Sequence, residues 1–283
     1  MKTAYFPIYT QVSKTPITIV EKLREEVFAH PFFNDAVPLV RAKNSFRKEL
    51  DFNTETISEN IALLTLAGFI FHTSHCGSTL LANMFGASKK TRVVSETEAI
   101  NGLLLSAVFY NLDEKELLKN LKAIIEAYLQ PLDKAEQVVF KLTSWNIFFI
   151  ELFQKAYPEV PWLFIGRNTG DVVNSLLKSG RGFVEWFYHP TDLLRKYFLG
   201  EKMKQQSLEK YLFEMVEAHK STAEKFRSEK NLFVEYPSFI NEFESALLPH
   251  FNLKYNSKEL QAAQEIKKYD AKNFQNKTIF AKE

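Results

Sequence analysis

The chain has 283 residues, 46% of them hydrophobic, enough to bury a substantial core in one large domain or two small ones. Its 36 Lys plus Arg against 34 Asp plus Glu leave a formal charge of +2, too small to imply a polyanion, so no nucleic-acid partner is expected and any anion site must be local. A single cysteine, Cys76, excludes an internal disulfide framework, and with no signal-type apolar core and no membrane span the expectation is a cytoplasmic protein of unspecified oligomeric state.

In chain order, residues 1–60 mix aromatic and charged positions with several prolines and read as an N-terminal elaboration. From Leu66 short buried-strand candidates alternate with longer helical patterns, which predicts an α/β fold: a three-layer sandwich with a central, mostly parallel sheet. The strand candidates are GFIFH (68–72), RVV (92–94), QVVFKL (137–142), WLFIG (162–166) and LFVEY (232–236). Helical spacing marks 78–86, 98–110, 114–130, 145–157 and 171–179. No repeat or Gly/Ser linker divides the chain, so residues 1–283 read as one domain with its α/β core at 66–240 and a helical or loop segment at 241–283. Such sheets bind ligands beyond the carboxyl ends of their strands.

The first strand runs into HTSHCGSTLL, which sets Gly77, Ser78 and Thr79 at the start of a helix. Unpaired N–H groups and the helix dipole favour an anion there, and the two hydroxyls add donors; equally, Ser78 and Thr79 suit a plain helix start. A Walker-type loop needs a first glycine and a lysine after the last one, and neither is present. A Cys-dependent phosphatase loop would close on an Arg six residues after the Cys, where this chain has Ala82. Cys76 beside His75 reads either as an activated thiol or as a small buried space-filler.

A second anion site is suggested by WLFIGRNTGDVVNS, where Arg167 follows a strand and Ser175 lies about two turns into the next helix. Asn168 and Asp171 are spaced as an N-cap and its N3 partner.

Together HCGSTLL and RNTGDVVNS, about ninety residues apart, resemble the two signature elements of the sulfotransferase superfamily that uses 3′-phosphoadenosine 5′-phosphosulfate as donor. The resemblance covers Gly68 to Phe183, with an echo in LFVEYPSFI, and it is that of a divergent, bacterial-type member. It implies a P-loop-like nucleotide-binding fold. It also implies that His75, Cys76, Gly77, Ser78, Thr79 and Leu80 hold the 5′-phosphosulfate and that Arg167 and Ser175 hold the 3′-phosphate. His75 stands where the family has a basic residue, and Asn168 and Thr169 replace its Asp-Pro. No metal is implied. The acceptor would be a hydroxyl or amine of a small molecule or glycan.

Sulfuryl transfer needs a base for the acceptor and positive charge on the transferring group. The candidates are Glu96, Lys141 and His75. Lys141 ends a strand and stands where the resemblance puts a lysine; Thr143 occupies the place of the family's catalytic histidine. Ser95 and Glu98 fit a capping box, which leaves Glu96 without a structural duty. His72 and His75 are rival bases. The aromatic stretch GFVEWFYHP is a candidate acceptor wall. Two other functions fit the same pattern: a P-loop kinase-like phosphotransferase, and a nucleotide-binding protein without turnover.

Overall fold

A computed structural model describes residues 2–41, 46–50, 62–132, 134–200 and 207–272. Parts of the expected N-terminal elaboration (42–45 and 51–60) and the end of the C-terminal segment (273–283) lie outside the described residues. Among the described residues eight strands follow in chain order: β1 (Thr3–Thr10), β2 (Thr18–Arg24), β3 (Lys48–Glu49), β4 (Thr65–His72), β5 (Thr91–Ser95), β6 (Gln137–Lys141), β7 (Trp162–Gly166) and β8 (Leu232–Glu235).

The last five form one sheet in the order β5-β6-β4-β7-β8, with every neighbouring pair parallel. Their alternate side chains enter two separate cores. Phe69, Phe71, Val138, Phe140, Trp162 and Phe164 join one buried cluster; Ala67, Ile70, Val139, Leu163, Ile165 and Val234 join the other. This is why each strand reads as an unbroken apolar run: both faces are covered, so the period-2 pattern has no polar phase. The first face is covered by helices Glu98–Tyr110, Glu114–Tyr128, Ile150–Ala156, Thr169–Ser179 and Leu208–Lys225, the second by helix Ser78–Phe85 and the chain from Phe239 to Ala263. The result is the three-layer α/β architecture expected from the sequence.

The N-terminal region is more than an appendage. Strands β1, β2 and β3 make an antiparallel sheet that packs on helix Glu98–Tyr110. Gly102 of that helix permits the approach, since a Cβ there would lie 2.0 Å from the Thr10 carbonyl oxygen. Phe32, just before the short helix Phe33–Ala36, is thereby carried to the carboxyl edge of the parallel sheet.

Helix Leu208–Lys225 lies outside the helical stretches expected from the sequence. It buries Tyr211, Leu212, Met215, Val216, His219 and Ala223, a clear i, i+3, i+4 stripe.

The order of connection places the site. After β4 the chain crosses to β5 and returns through β6, then passes to the other side of β4 for β7 and β8. The crossovers on either side of β4 diverge at its carboxyl end, which opens a crevice there.

Candidate functional site

The crevice is a cavity of about 860 Å3. At its floor β4 ends at His72, and the loop turns through His75 (φ +53°) and Gly77 (φ +79°) into helix Ser78–Phe85. Left-handed backbone favours glycine, and at Gly77 space demands it too: a Cβ would stand 2.5 Å from the Tyr236 ring. Ser78, Thr79 and Leu80, whose N–H groups belong to the first turn that a helix leaves without internal partners, all line the cavity.

The second motif meets the first. Arg167 donates from Nη1 to the His75 carbonyl at 2.9 Å, and Ser175 Oγ shares a 2.6 Å hydrogen bond with His75 Nδ1. Arg167 also lies 5.1 Å above the Tyr236 ring and 3.7 Å from the Asp171 carboxylate. Asn168 caps helix Thr169–Ser179, accepting from Asp171 N, as its spacing indicates. Burial first, then Lys272 and Arg167, lower the His75 pKa, so this ring carries less charge than a free histidine. The head of the loop thus presents a hydrogen-bonding ring rather than a fixed cation.

Cys76 settles one alternative. Its thiol is fully buried and, chiefly by that burial, is pushed up to about 11, against opposing hydrogen bonds from Ser78 and Thr73. It fills space in the second core and is no activated nucleophile.

The other side of the cavity holds the remaining candidates. Glu96 follows β5 with φ +50°, and its side chain, 26% exposed, reaches the cavity. Lys141, at the end of β6, is not at the cavity surface. It is 1% exposed, donates to Thr79 Oγ1 at 3.3 Å, and is ion-paired with Glu96. The Phe32 ring lies 5.0 Å from its ammonium. The loop has no lysine of its own, yet one from β6 stands directly beneath its helix start. Burial favours the neutral form of Glu96, but Lys141, and after it His72, outweigh this and hold the carboxyl below the ordinary glutamate range.

His72 is 4% exposed, with Nδ1 2.7 Å from the Thr73 oxygen and Nε2 2.8 Å from the Leu142 oxygen. Burial, then Lys141, lowers its pKa to about 4. Both nitrogens lie against main-chain carbonyls, and the neutral ring can donate to only one of them.

The capping box expected of Ser95 and Glu98 is not formed. The N-cap of helix Glu98–Tyr110 is Thr97, whose hydroxyl accepts from Ile100 N at 3.4 Å, and Glu98 is the first helical residue. Its amide donates 2.9 Å to Asn34 Oδ1, so the N-terminal region supplies the partner that the local sequence does not. The positive φ of Glu96 displaces the helix start by two residues from the capping-box register.

The C-terminal segment supplies residues for which the sequence holds no motif. Lys267, Tyr269 and Lys272 reach the cavity after helix Ser257–Ile266, a course held by a 2.7 Å hydrogen bond from Asn83 Nδ2 to the Ala271 oxygen. Arg181 lines it as well. The expected aromatic wall is present in part: Phe183 and Trp186 line the cavity beside Trp145, whose ring centroid is 6.1 Å from that of Trp186. The arrangement can seat an anion with more than one phosphate-like group along the Arg167, Lys272 and helix-start side, and an apolar group against the tryptophans.

Among the described residues no group of three or more His, Cys, Asp and Glu side chains is placed to hold a metal ion, and no helix is long and apolar enough to cross a membrane. No protein-family model matches the sequence, and no curated protein matches it significantly. Among solved structures the chain is similar to mouse sulfotransferase SULT7A1 complexed with PAP, at 13% identity and a TM-score of 0.41 over 72% of this chain and 64% of that one. The match thus spans a little less than two thirds of the mouse protein. Similarity extends to sulfotransferase STF9 from Mycobacterium avium, at 11% identity and a TM-score of 0.47 over 72% and 68% of the two chains. A sulfotransferase from Alicyclobacillus acidocaldarius is similar at 12% identity and a TM-score of 0.42, over 77% of this chain and 98% of that one.

Proposed function

We propose that the chain is a single-domain, divergent member of the sulfotransferase superfamily that transfers a sulfuryl group from 3′-phosphoadenosine 5′-phosphosulfate to a hydroxyl or amine. The observation that carries this reading is the meeting of the two motifs: Arg167 and Ser175 both hydrogen-bond to His75, beside a helix start facing the same cavity. In this reading the first-turn amides and hydroxyls of Ser78 and Thr79, with the backbone from His75 to Leu80, receive the 5′-phosphosulfate. Arg167 and Ser175 exchange their bonds to His75 for the 3′-phosphate, a charge-assisted and better acceptor. Glu96 takes the acceptor proton, and Lys141 supplies positive charge beneath the transferring group.

The test is calorimetric titration with 3′,5′-adenosine bisphosphate, ATP and AMP in parallel. Preference for the bisphosphate, undiminished by EDTA, is the expected result; preference for ATP with a strict magnesium requirement would turn the reading to a phosphotransferase. Two observations favour a second reading, a nucleotide-binding protein without turnover. The candidate base is already paired with Lys141 and the loop opens on a largely neutral histidine. Tight bisphosphate binding with no transfer from labelled donor to any of a panel of phenols, sugars and lipids would select it.

A further inference from the structure

The ion pair of Lys141 and Glu96 is placed where it can respond to the donor. The ammonium is buried behind the helix start, with one acceptor on each side: the Glu96 carboxylate, which faces the cavity, and Thr79 Oγ1 at 3.3 Å, on the turn that would receive the anion. The other ionisable groups facing Glu96 are His72, with Nε2 3.9 Å from Oε1, together with Lys272 from the C-terminal segment and Glu98 from the following helix. Phe32 covers the ammonium, so water does not readily replace either partner. The Glu96 backbone is held in its left-handed conformation by a 2.8 Å bond from its N–H to the Lys141 oxygen, which fixes the two residues together.

We propose that Lys141 is a shared cation that makes Glu96 a proton acceptor only when the donor is bound. This rests on the sulfotransferase reading. Without an anion at the helix start, the ammonium neutralises Glu96 and makes it a poor base. An anion seated on Ser78 and Thr79 draws on the same ammonium and adds a second negative charge beside the carboxylate. Both effects raise the proton affinity of Glu96: one unit charge about 6 Å away in a medium of dielectric constant near 20 changes it by roughly two orders of magnitude. In the transfer the acceptor O–H bond breaks and its proton passes to Glu96. The oxygen's electron pair forms the new bond to sulfur, and the bond from sulfur to the phosphate oxygen breaks, its pair leaving with the adenosine bisphosphate. A base activated by its co-substrate would not be protonated or spent in the donor-free protein.

The experiment is carbon-13 NMR of protein labelled at glutamate side-chain carboxyls, with Glu96 assigned by its loss in Glu96→Gln. The pH titration is run alone, with saturating 3′,5′-adenosine bisphosphate, and with adenosine. The expected result is a Glu96 midpoint below the ordinary glutamate range that rises by one pH unit or more, a tenfold gain in proton affinity, with the bisphosphate and not with adenosine. In Lys141→Met the midpoint should already be high without ligand, and the ligand should add less. If the bisphosphate binds and the midpoint stays put, the coupling is wrong while the sulfotransferase reading stands; if the bisphosphate does not bind, both fall. Should Lys141→Met fail to fold, calorimetry at pH 6 in buffers of different ionisation enthalpy decides. Greater proton uptake on bisphosphate binding to wild type than to Glu96→Gln supports the coupling, and equal uptake overturns it.

Discussion

The two sides of the cavity carry positive charge in opposite ways. On the β7 side Arg167 is about a quarter exposed and Lys272 is exposed, with Arg167 held by a loop carbonyl and a carboxylate at 3.7 Å. Its charge is only partly committed and open to a ligand. On the β6 side Lys141 is buried and its charge is already matched by Glu96. A solvent-facing guanidinium selects an anion through geometry. A buried ammonium stands in a medium where charge acts strongly but must always be matched. In the proposed reading, recognition and chemistry fall on different sides of one crevice.

The largest effect should come from the buried side. Glu96→Gln, which keeps shape and removes the proton acceptor, should lower turnover by about two to four orders of magnitude while bisphosphate affinity is kept or improved. Steady-state assay with labelled donor checks this, and near-normal turnover would move the base elsewhere and break the division.

Acid should act next, through two buried histidines. His72 and His219 are both buried, and their pKa values are lowered from 6.5 to about 4, so each is neutral when folded but gains a proton on unfolding below pH 6.5. Their contribution is therefore fully present above pH 6.5 and is lost as pH falls toward 4, by up to about 3 kcal/mol for each ring. Glu96, with a lowered carboxyl, loses its contribution at still lower pH, from about 4.5 downward. Urea unfolding at pH 7.5, 5.5 and 4.5 should show the fall, and His72→Gln and His219→Gln should flatten it. A profile unchanged in both variants would mean that neither ring is held neutral.

On the exposed side, Arg167→Ala should weaken bisphosphate binding by about 2 kcal/mol, roughly thirtyfold, and leave AMP binding nearly unchanged. Equal losses for both ligands would detach Arg167 from the 3′-phosphate. The smallest effect sharpens the local structure next to Glu96. Thr97→Ala should cost about 0.5–1 kcal/mol as a lost cap, whereas Ser95→Ala should lose no cap at all, by thermal unfolding. The reverse order would restore the capping-box register.

Much of the fold is legible because parallel strands buried on both faces show as continuous apolar runs. All five such runs from Gly68 to Tyr236 are strands of the sheet, and helix Glu98–Tyr110 has the predicted bounds. The N-terminal sheet is harder to read, since the β1–β2 hairpin is held in place by packing on a glycine of a distant helix. Within the site, the glycine, hydroxyls, arginine and serine of the two motifs announce themselves by chemistry at fixed spacing. The cap at Thr97 does not, because it follows from a positive φ at a non-glycine residue.

The sequence by itself determines what local pattern and residue chemistry can encode: the parallel sheet, the helix start after β4, and the strand-end Arg167 with Ser175 eight positions on. Only the tertiary structure decides which charges are free. That Arg167 and Ser175 meet His75, that Lys141 lies buried between Glu96 and Thr79, that His72 Nε2 meets the Leu142 carbonyl, and that Lys272 joins the cavity are results of crossovers joining residues up to about two hundred positions apart. Burial and partnership fix the protonation and availability of a group, and both are properties of the neighbours that the fold brings together rather than of the residue itself.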